Sequence, residues 1–392
     1  MARPDSAAPR RGTPDPARPQ PVTPRPARPH AARRARSARV ALAALVLVLA
    51  GCGAAPDDVE TSTTPEVPPV VGEESIAGLR VLLTNDDSVQ AARENDSDGT
   101  GLYELRSALC AAGADVVVIG PWQVQSGRGT AVTNSGVVSL APPLALPDAC
   151  AGDCADAPSG GVVLGLCTDE VCAADSPSAT PVDTVKFALR GGLTHVAGWD
   201  DLPDLVVTGS NAGLNVASSV NDSGTIGAAI AAVEEGVPAV AFSTSGDATM
   251  AAFPRENYRA TAAWGAQLLE GLAARGLLTQ TGFALSVNYP DLTSGEAPAA
   301  ATWVQVGTGV VALHGYEAVD DSTFTVGLSL CEGLTICEEE RADADSVAVM
   351  SGRHVTVGAI APDRTYGAEV EDRAVLDAIA QYVRTEAPAP VS

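Results

Sequence analysis

"DLVVTGSNAGLNVASSVNDSGTIGAAIAAVEEGVPAVAFS", residues 204–243, decides the fold class. Its two ends, 204–209 and 237–243, are short, Val-rich and almost continuously apolar. Strands covered on both faces have this composition, whereas a half-exposed strand would alternate. Between them 223–236 reads as a helix that stops at Gly236. The pattern recurs upstream, where "LRVLLT" (79–84) and "ADVVVIG" (114–120) flank the helical "GLYELRSALCAAG" (101–113). Repeated strand, helix, strand units predict an α/β, Rossmann-like three-layer sandwich around a mostly parallel sheet.

Working outward, residues 76–392 form the predicted folded domain, with a core at 76–250 and an extension at 251–392. Segment 141–180 is rich in Pro, Ala and Cys and reads as a long insertion in that core. Apolar runs at 283–290, 302–309 and 353–362 suggest added strands or hairpins beyond the main sheet, and 373–385 a closing amphipathic helix.

The N-terminus reads differently. Ten Arg and two Asp give residues 1–51 a charge of +8, so the rest of the chain carries −32 of the total −24. The apolar run 40–50 follows that basic segment and is too short for a spanning helix, which needs about 20 residues. It has the length of a signal-peptide core. "LAGC" (49–52) resembles the bacterial lipoprotein cleavage box, which implies export, lipid attachment at Cys52 and anchoring on the outer face of the cell membrane. Residues 52–75 are Pro-, Thr- and acid-rich and read as a solvated tether. An acidic body repels nucleic-acid duplexes and anionic membranes, so lipid is the expected membrane contact.

Export favours oxidised thiols. Cys150 and Cys154, Cys167 and Cys172, and Cys331 and Cys337 are close in sequence and are the candidate disulfide cysteines, with connectivity left open. Cys110 stands alone on a predicted helix.

In open parallel sheets, ligands bind beyond the carboxyl ends of the strands. Asn85, Asp86 and Asp87 follow the first predicted strand, and Ser126 follows the second. Asn211, Asn215, Ser223 and Thr225 follow the third. Two neighbouring carboxylates repel, and burial without a cation would raise a pKa. Asp, Asp, Ser and Asn make a hard, all-oxygen donor set suited to Mg²⁺ or Mn²⁺, with Ca²⁺ also compatible. "SGT" (223–225) opens a helix whose free N–H groups suit a phosphate. A divalent cation beside a phosphate cradle is a site for phosphoester hydrolysis. Neither a P-loop nor an HExxH motif occurs in the sequence.

"LRVLLTNDD", "ADVVVIGPWQVQSG", "TPVDTVKFAL" and "PDLVVTGSNAGLNVASSVNDSGTIGAA" together resemble the SurE family of survival-protein 5'/3'-nucleotidases. The resemblance implies metal-dependent hydrolysis of nucleoside monophosphates and a C-terminal extension that builds a homodimer or tetramer. It implies Asp86, Asp87, Ser126 and Asn211 as metal ligands, either Asp as a catalytic base, and Asn215, Ser223, Gly224 and Thr225 on the phosphate. Departures border the site: Ser88 where the family has Gly, an acid-bearing loop at 89–101, Trp122 and Gln123 for a charged pair, and Asp222 for an aromatic. Two other functions fit the same residues, a nucleotide- or phosphate-binding lipoprotein without turnover and a broad-specificity acid phosphatase.

Overall fold

Strand β1 (Arg80–Thr84) leads to helix α1 (Thr100–Ala111), β2 (Asp115–Pro121), the short β3 (Ser139–Ala141) and β4 (Val163–Cys167). Helices α2 (Pro181–Phe187) and α3 (Leu193–Ala197) precede β5 (Leu205–Ala212), α4 (Gly224–Glu234) and β6 (Ala239–Thr244). The chain continues through α5 (Arg255–Ala273), β7 (Ala284–Tyr289), β8 (Ala299–Trp303), β9 (Ala312–Ala318), β10 (Phe324–Leu330), β11 (His354–Ile360) and α6 (Arg373–Thr385). This is a computed structural model that describes residues 75–91, 99–250, 252–330, 340–363 and 373–391. The expected leader and tether with Cys52, most of the acidic loop after Ser88, and Cys331 and Cys337 lie outside the described residues.

Nine strands form one sheet in the order β3-β4-β2-β1-β5-β6-β7-β11-β8. The six from β4 to β7 in that order run parallel, and β3 and β11 pair antiparallel at either side of them. Side chains alternate across the sheet as a three-layer sandwich requires. Val81, Leu83, Val116 and Val118 face α1, α5 and α6, where they meet Leu105, Trp264 and Ile379. Leu82, Val117 and Val206 face α2 and α4, where they meet Val185 and Ile230. From β1 the chain crosses to β2 on one side and later to β5 on the other. The β1/β5 junction is therefore the topological switch point, and its carboxyl ends form the crevice.

Several expectations change in detail. The runs at 283–290, 302–309 and 353–362 are not outlying additions: β7 pairs parallel with β6, and β11 and β8 extend the same sheet. The separate hairpin is instead β9–β10. Segment 141–180 contains β4, a full neighbour of β2. Helix α5, nineteen residues long, has no counterpart in the sequence reading.

The cysteines also correct the expectation. Cys110 bonds to Cys154 and Cys167 to Cys172, while Cys150 is a buried free thiol. The reason is Arg106 on α1. Its buried guanidinium donates to the carbonyls of Cys150, Asp153 and Gly161, which docks this segment on α1 and brings Cys154 to Cys110. Trp122 and Gln123 serve a similar end, donating to the carbonyls of Ala173 and Ala174 beside the Cys167–Cys172 loop.

Candidate active site

Asp86 and Asp87 are each 2% exposed, in the turn that ends β1. The chain leaves the sheet there, so the two carboxylates diverge toward different elements. Asp86 turns to the start of α4, where its Oδ1 accepts from the Thr225 hydroxyl at 2.6 Å. Burial pushes its carboxyl up from the usual range, against the lowering effect of that hydroxyl and of the backbone N–H groups of Thr225 and Gly224. Asp87 turns to β5, where its Oδ2 accepts from the Ala212 N–H at 2.8 Å. Both carboxylates thus span the switch point.

The turn needs a left-handed residue, and Ser88 supplies it with φ 87°. Glycine is the usual occupant of such a position because it has no Cβ. Ser88 offsets the strain with its hydroxyl, which donates to the Trp122 carbonyl at 3.2 Å and accepts from Gln90 N–H at 2.9 Å.

On β5 the pairing register with β6 shifts between Thr208 and Asn211, and Asn211 then pairs with Ser243. Its Nδ2 donates to the Gly213 carbonyl at 2.8 Å, so its amide oxygen points away from that carbonyl. Ser126 is exposed, and the preceding residue fixes it: Gln125 N–H donates to the Asp86 carbonyl at 2.7 Å. A Cβ on Gly224 would sit 2.9 Å from Asp86 Cβ and 3.0 Å from its Oδ2, so only glycine leaves that carboxylate its place.

The expected phosphate ligands behave less uniformly. Ser223 is the N-cap of α4, its hydroxyl accepting from Ile226 N–H at 3.2 Å. Thr225 is engaged with Asp86. Asn215 donates to the Ser243 hydroxyl at 2.9 Å, and Asn288 clamps its backbone, accepting from its N–H at 2.8 Å and donating to its carbonyl at 3.1 Å. Asn288 was missed by the sequence reading, although it lies near the carboxyl end of β7. Asp345 was missed as well. Its Oδ1 accepts from the N–H groups of Ala217, Gly307 and Ser346, tying the loop after β5 to the C-terminal extension.

Among the described residues no group of three or more His, Cys, Asp or Glu gathers around one point. A cation at this edge would have two carboxylates and neutral oxygens as donors, which suits a hard divalent ion.

A family model described as "Survival protein SurE" matches residues 81–310, the stretch that contains every one of these groups except Asp345 and Ser346. The chain belongs to the SurE family. "5'-nucleotidase SurE" of Geobacter sulfurreducens is 33% identical over 220 residues, covering 56% of this chain and 64% of that relative. "5'-nucleotidase SurE" of Solidesulfovibrio magneticus is 36% identical over 165 residues, covering 42% of this chain and 50% of its own length. The chain thus spans half to two-thirds of the length of these SurE relatives. The crystal structure of the SurE protein from Aquifex aeolicus superposes with a TM-score of 0.50 at 23% identity, covering 73% of this chain and 95% of that one, which shows a shared fold.

Proposed function

We propose that the chain is a divalent-metal-dependent phosphomonoester hydrolase acting on nucleoside 5'- and 3'-monophosphates. The observation that carries this reading is the Asp86 carboxylate at the N-terminus of α4, hydrogen-bonded to Thr225. A helix start already facing a carboxylate accepts a phosphate only when a cation separates the two negative charges. The SurE relatives, named as 5'-nucleotidases, favour the nucleotide as the phosphate's carrier.

Asp86, Asp87, Ser126 and Asn211 would hold the cation, Mg²⁺ or Mn²⁺. When bound, such an ion supplies Lewis-acid polarisation of the phosphoryl group and lowers the pKa of an attacking water. The protein's own share is positional: Gly224 keeps space for Asp86, and Ser243 and Asn288 hold Asn215 in place for the phosphate. The test is phosphate release from several nucleoside monophosphates and an aryl phosphate, with Mg²⁺ or Mn²⁺ and with EDTA. Metal-dependent release is expected, and Asp86→Asn should lower kcat by roughly 10²–10³-fold, the worth of several kcal/mol. Release that EDTA leaves intact, or no release from any substrate, would reject the reading.

The same proposal includes assembly and location. Leu313, Tyr316, Phe324, Val326 and Leu328 on β9–β10 are 49–67% exposed, an apolar ribbon suited to a second copy of the chain. Light scattering should give a dimer or tetramer, and labelled palmitate should enter the expressed protein but not its Cys52→Ser variant.

A further inference from the structure

Ser88 and Trp122 are two of the positions where this chain departs from the family pattern, and they are bonded to each other. The Ser88 hydroxyl donates to the Trp122 carbonyl at 3.2 Å, and the Gln90 side-chain amide reaches the same oxygen at 3.4 Å. Between them, Val89 N–H donates to the Pro121 carbonyl at 3.0 Å. The turn that carries Asp86 and Asp87 therefore closes on the end of β2. The loop that begins at Trp122 closes back on it, because Gln125 N–H donates to the Asp86 carbonyl at 2.7 Å and Ser126 follows. Fixing Trp122 thus fixes the backbone of both segments that bear expected cation ligands.

Trp122 is itself fixed by the segment inserted after β3. Its side chain is buried against Gly165 on β4, where a Cβ would lie 2.6 Å from the Trp122 ring. Its backbone N–H donates to the Leu166 carbonyl at 3.1 Å, and its indole N–H to the Ala173 carbonyl at 2.6 Å. A buried indole N–H needs such an acceptor. Gln123 donates to the Ala174 carbonyl at 2.7 Å. Both acceptors directly follow Cys172, whose bond to Cys167 ties them to the end of β4. A bridge across a sequence separation of 5 leaves this loop few other conformations, so the two carbonyls stay where the indole and the amide meet them.

We propose that Trp122 is a positioning residue for the cation-binding edge and that the Cys167–Cys172 loop is its anchor. The path runs from the disulfide through the Ala173 carbonyl to the indole, then from the Trp122 carbonyl to Ser88 and the Asp86–Asp87 turn. This deepens the metal-dependent hydrolase reading and rests on it for the cation arm of the test. Groups that orient metal ligands from behind are worth roughly 10–100-fold in metal affinity.

The test uses the full-length protein, Mn²⁺ calorimetry, and hydrogen exchange of the peptide spanning residues 85–91. Trp122→Phe keeps an aromatic ring in the slot without the N–H. It should weaken Mn²⁺ binding roughly ten-fold and speed exchange of the peptide. Cys167→Ser with Cys172→Ser should do the same. Cys110→Ser with Cys154→Ser removes the bridge at the C-terminal end of α1 and should leave both readouts at wild-type values. In a Ser88→Gly background, where the hydroxyl link is already absent, Trp122→Phe should weaken Mn²⁺ binding by less than about three-fold. Wild-type readings for Trp122→Phe, equal effects of the two cysteine pairs, or an undiminished effect in the Ser88→Gly background would overturn the proposal. If the wild type binds no Mn²⁺, the cation reading fails alone, and the exchange comparison of the same variants decides the positioning role.

Discussion

The β1/β5 edge and the β9–β10 hairpin are both strand pairs, yet they sit at opposite extremes of the molecule. At the edge, Asp86, Asp87, Thr208 and Ser210 are all within 2% of complete burial, and each hydrogen-bonds to another element. On the hairpin, side chains as large as Phe324 and Tyr316 are more than half exposed. The edge is closely packed because helices cover both faces of its sheet, and small shifts there meet backbone at once. Among the described residues β9 and β10 pair only with each other, and a two-stranded ribbon is marginal in water without a partner. One region is therefore closely constrained, and the other leaves large apolar side chains in solvent.

That contrast can be broken most severely at Gly209. A Cβ there would overlap the Phe242 carbonyl oxygen, and φ is 115°. Gly209→Ala should lose about 3 kcal/mol or more in denaturant unfolding; an unchanged midpoint would mean the edge is far more pliant than its packing indicates. Ser88 gives a finer probe. Ser88→Ala keeps the left-handed strain and loses two hydrogen bonds, for a cost of about 1–2 kcal/mol. Ser88→Gly loses the same bonds but relieves about 1 kcal/mol of strain, so it should fall near the wild type. If the alanine variant proves the more stable, the hydroxyl's compensating role is refuted.

On the hairpin, Phe324→Ser with Val326→Ser should cost the fold less than about 1 kcal/mol. The same double variant should lower the mass seen by light scattering, and a large stability loss with no change in mass would invert the contrast. The smallest effect is a pH dependence at the far end of α4. A hydrogen bond from Arg190 depresses the Glu235 carboxyl below its ordinary 4.5. A depressed folded-state pKa adds stability above 4.5 that is lost as pH falls through the folded value. Between pH 6 and 3.5 the wild type should therefore lose more stability than Glu235→Gln, measured by urea midpoints.

Much of this was legible beforehand, for identifiable reasons. Buried parallel strands announce themselves as Val-rich runs, and β1, β2, β5 and β6 lie where 79–84, 114–120, 204–209 and 237–243 placed them. Helix α5 was harder, because its Ala- and Gly-rich face dilutes the apolar stripe that Trp264, Leu268 and Leu272 form. The site residues were named from strand ends, and Asp86, Asp87 and Asn211 do converge on one edge. Their pairings were not, since Thr225 bonds to Asp86 and Asn288 to Asn215 across 139 and 73 residues of chain.

The sequence by itself determined the alternation of strands and helices, the acidic body, the basic N-terminal segment and the oxygen-rich strand ends. These follow from local composition and periodicity, which need no knowledge of neighbours. Only the tertiary structure decided that Cys110 and not Cys150 meets Cys154, and that Asp86 occupies the start of α4. Each is a contact between segments far apart in the chain, fixed by where the helices pack on the sheet. Packing is a property of the whole set of side chains at once, so no stretch read alone contains it.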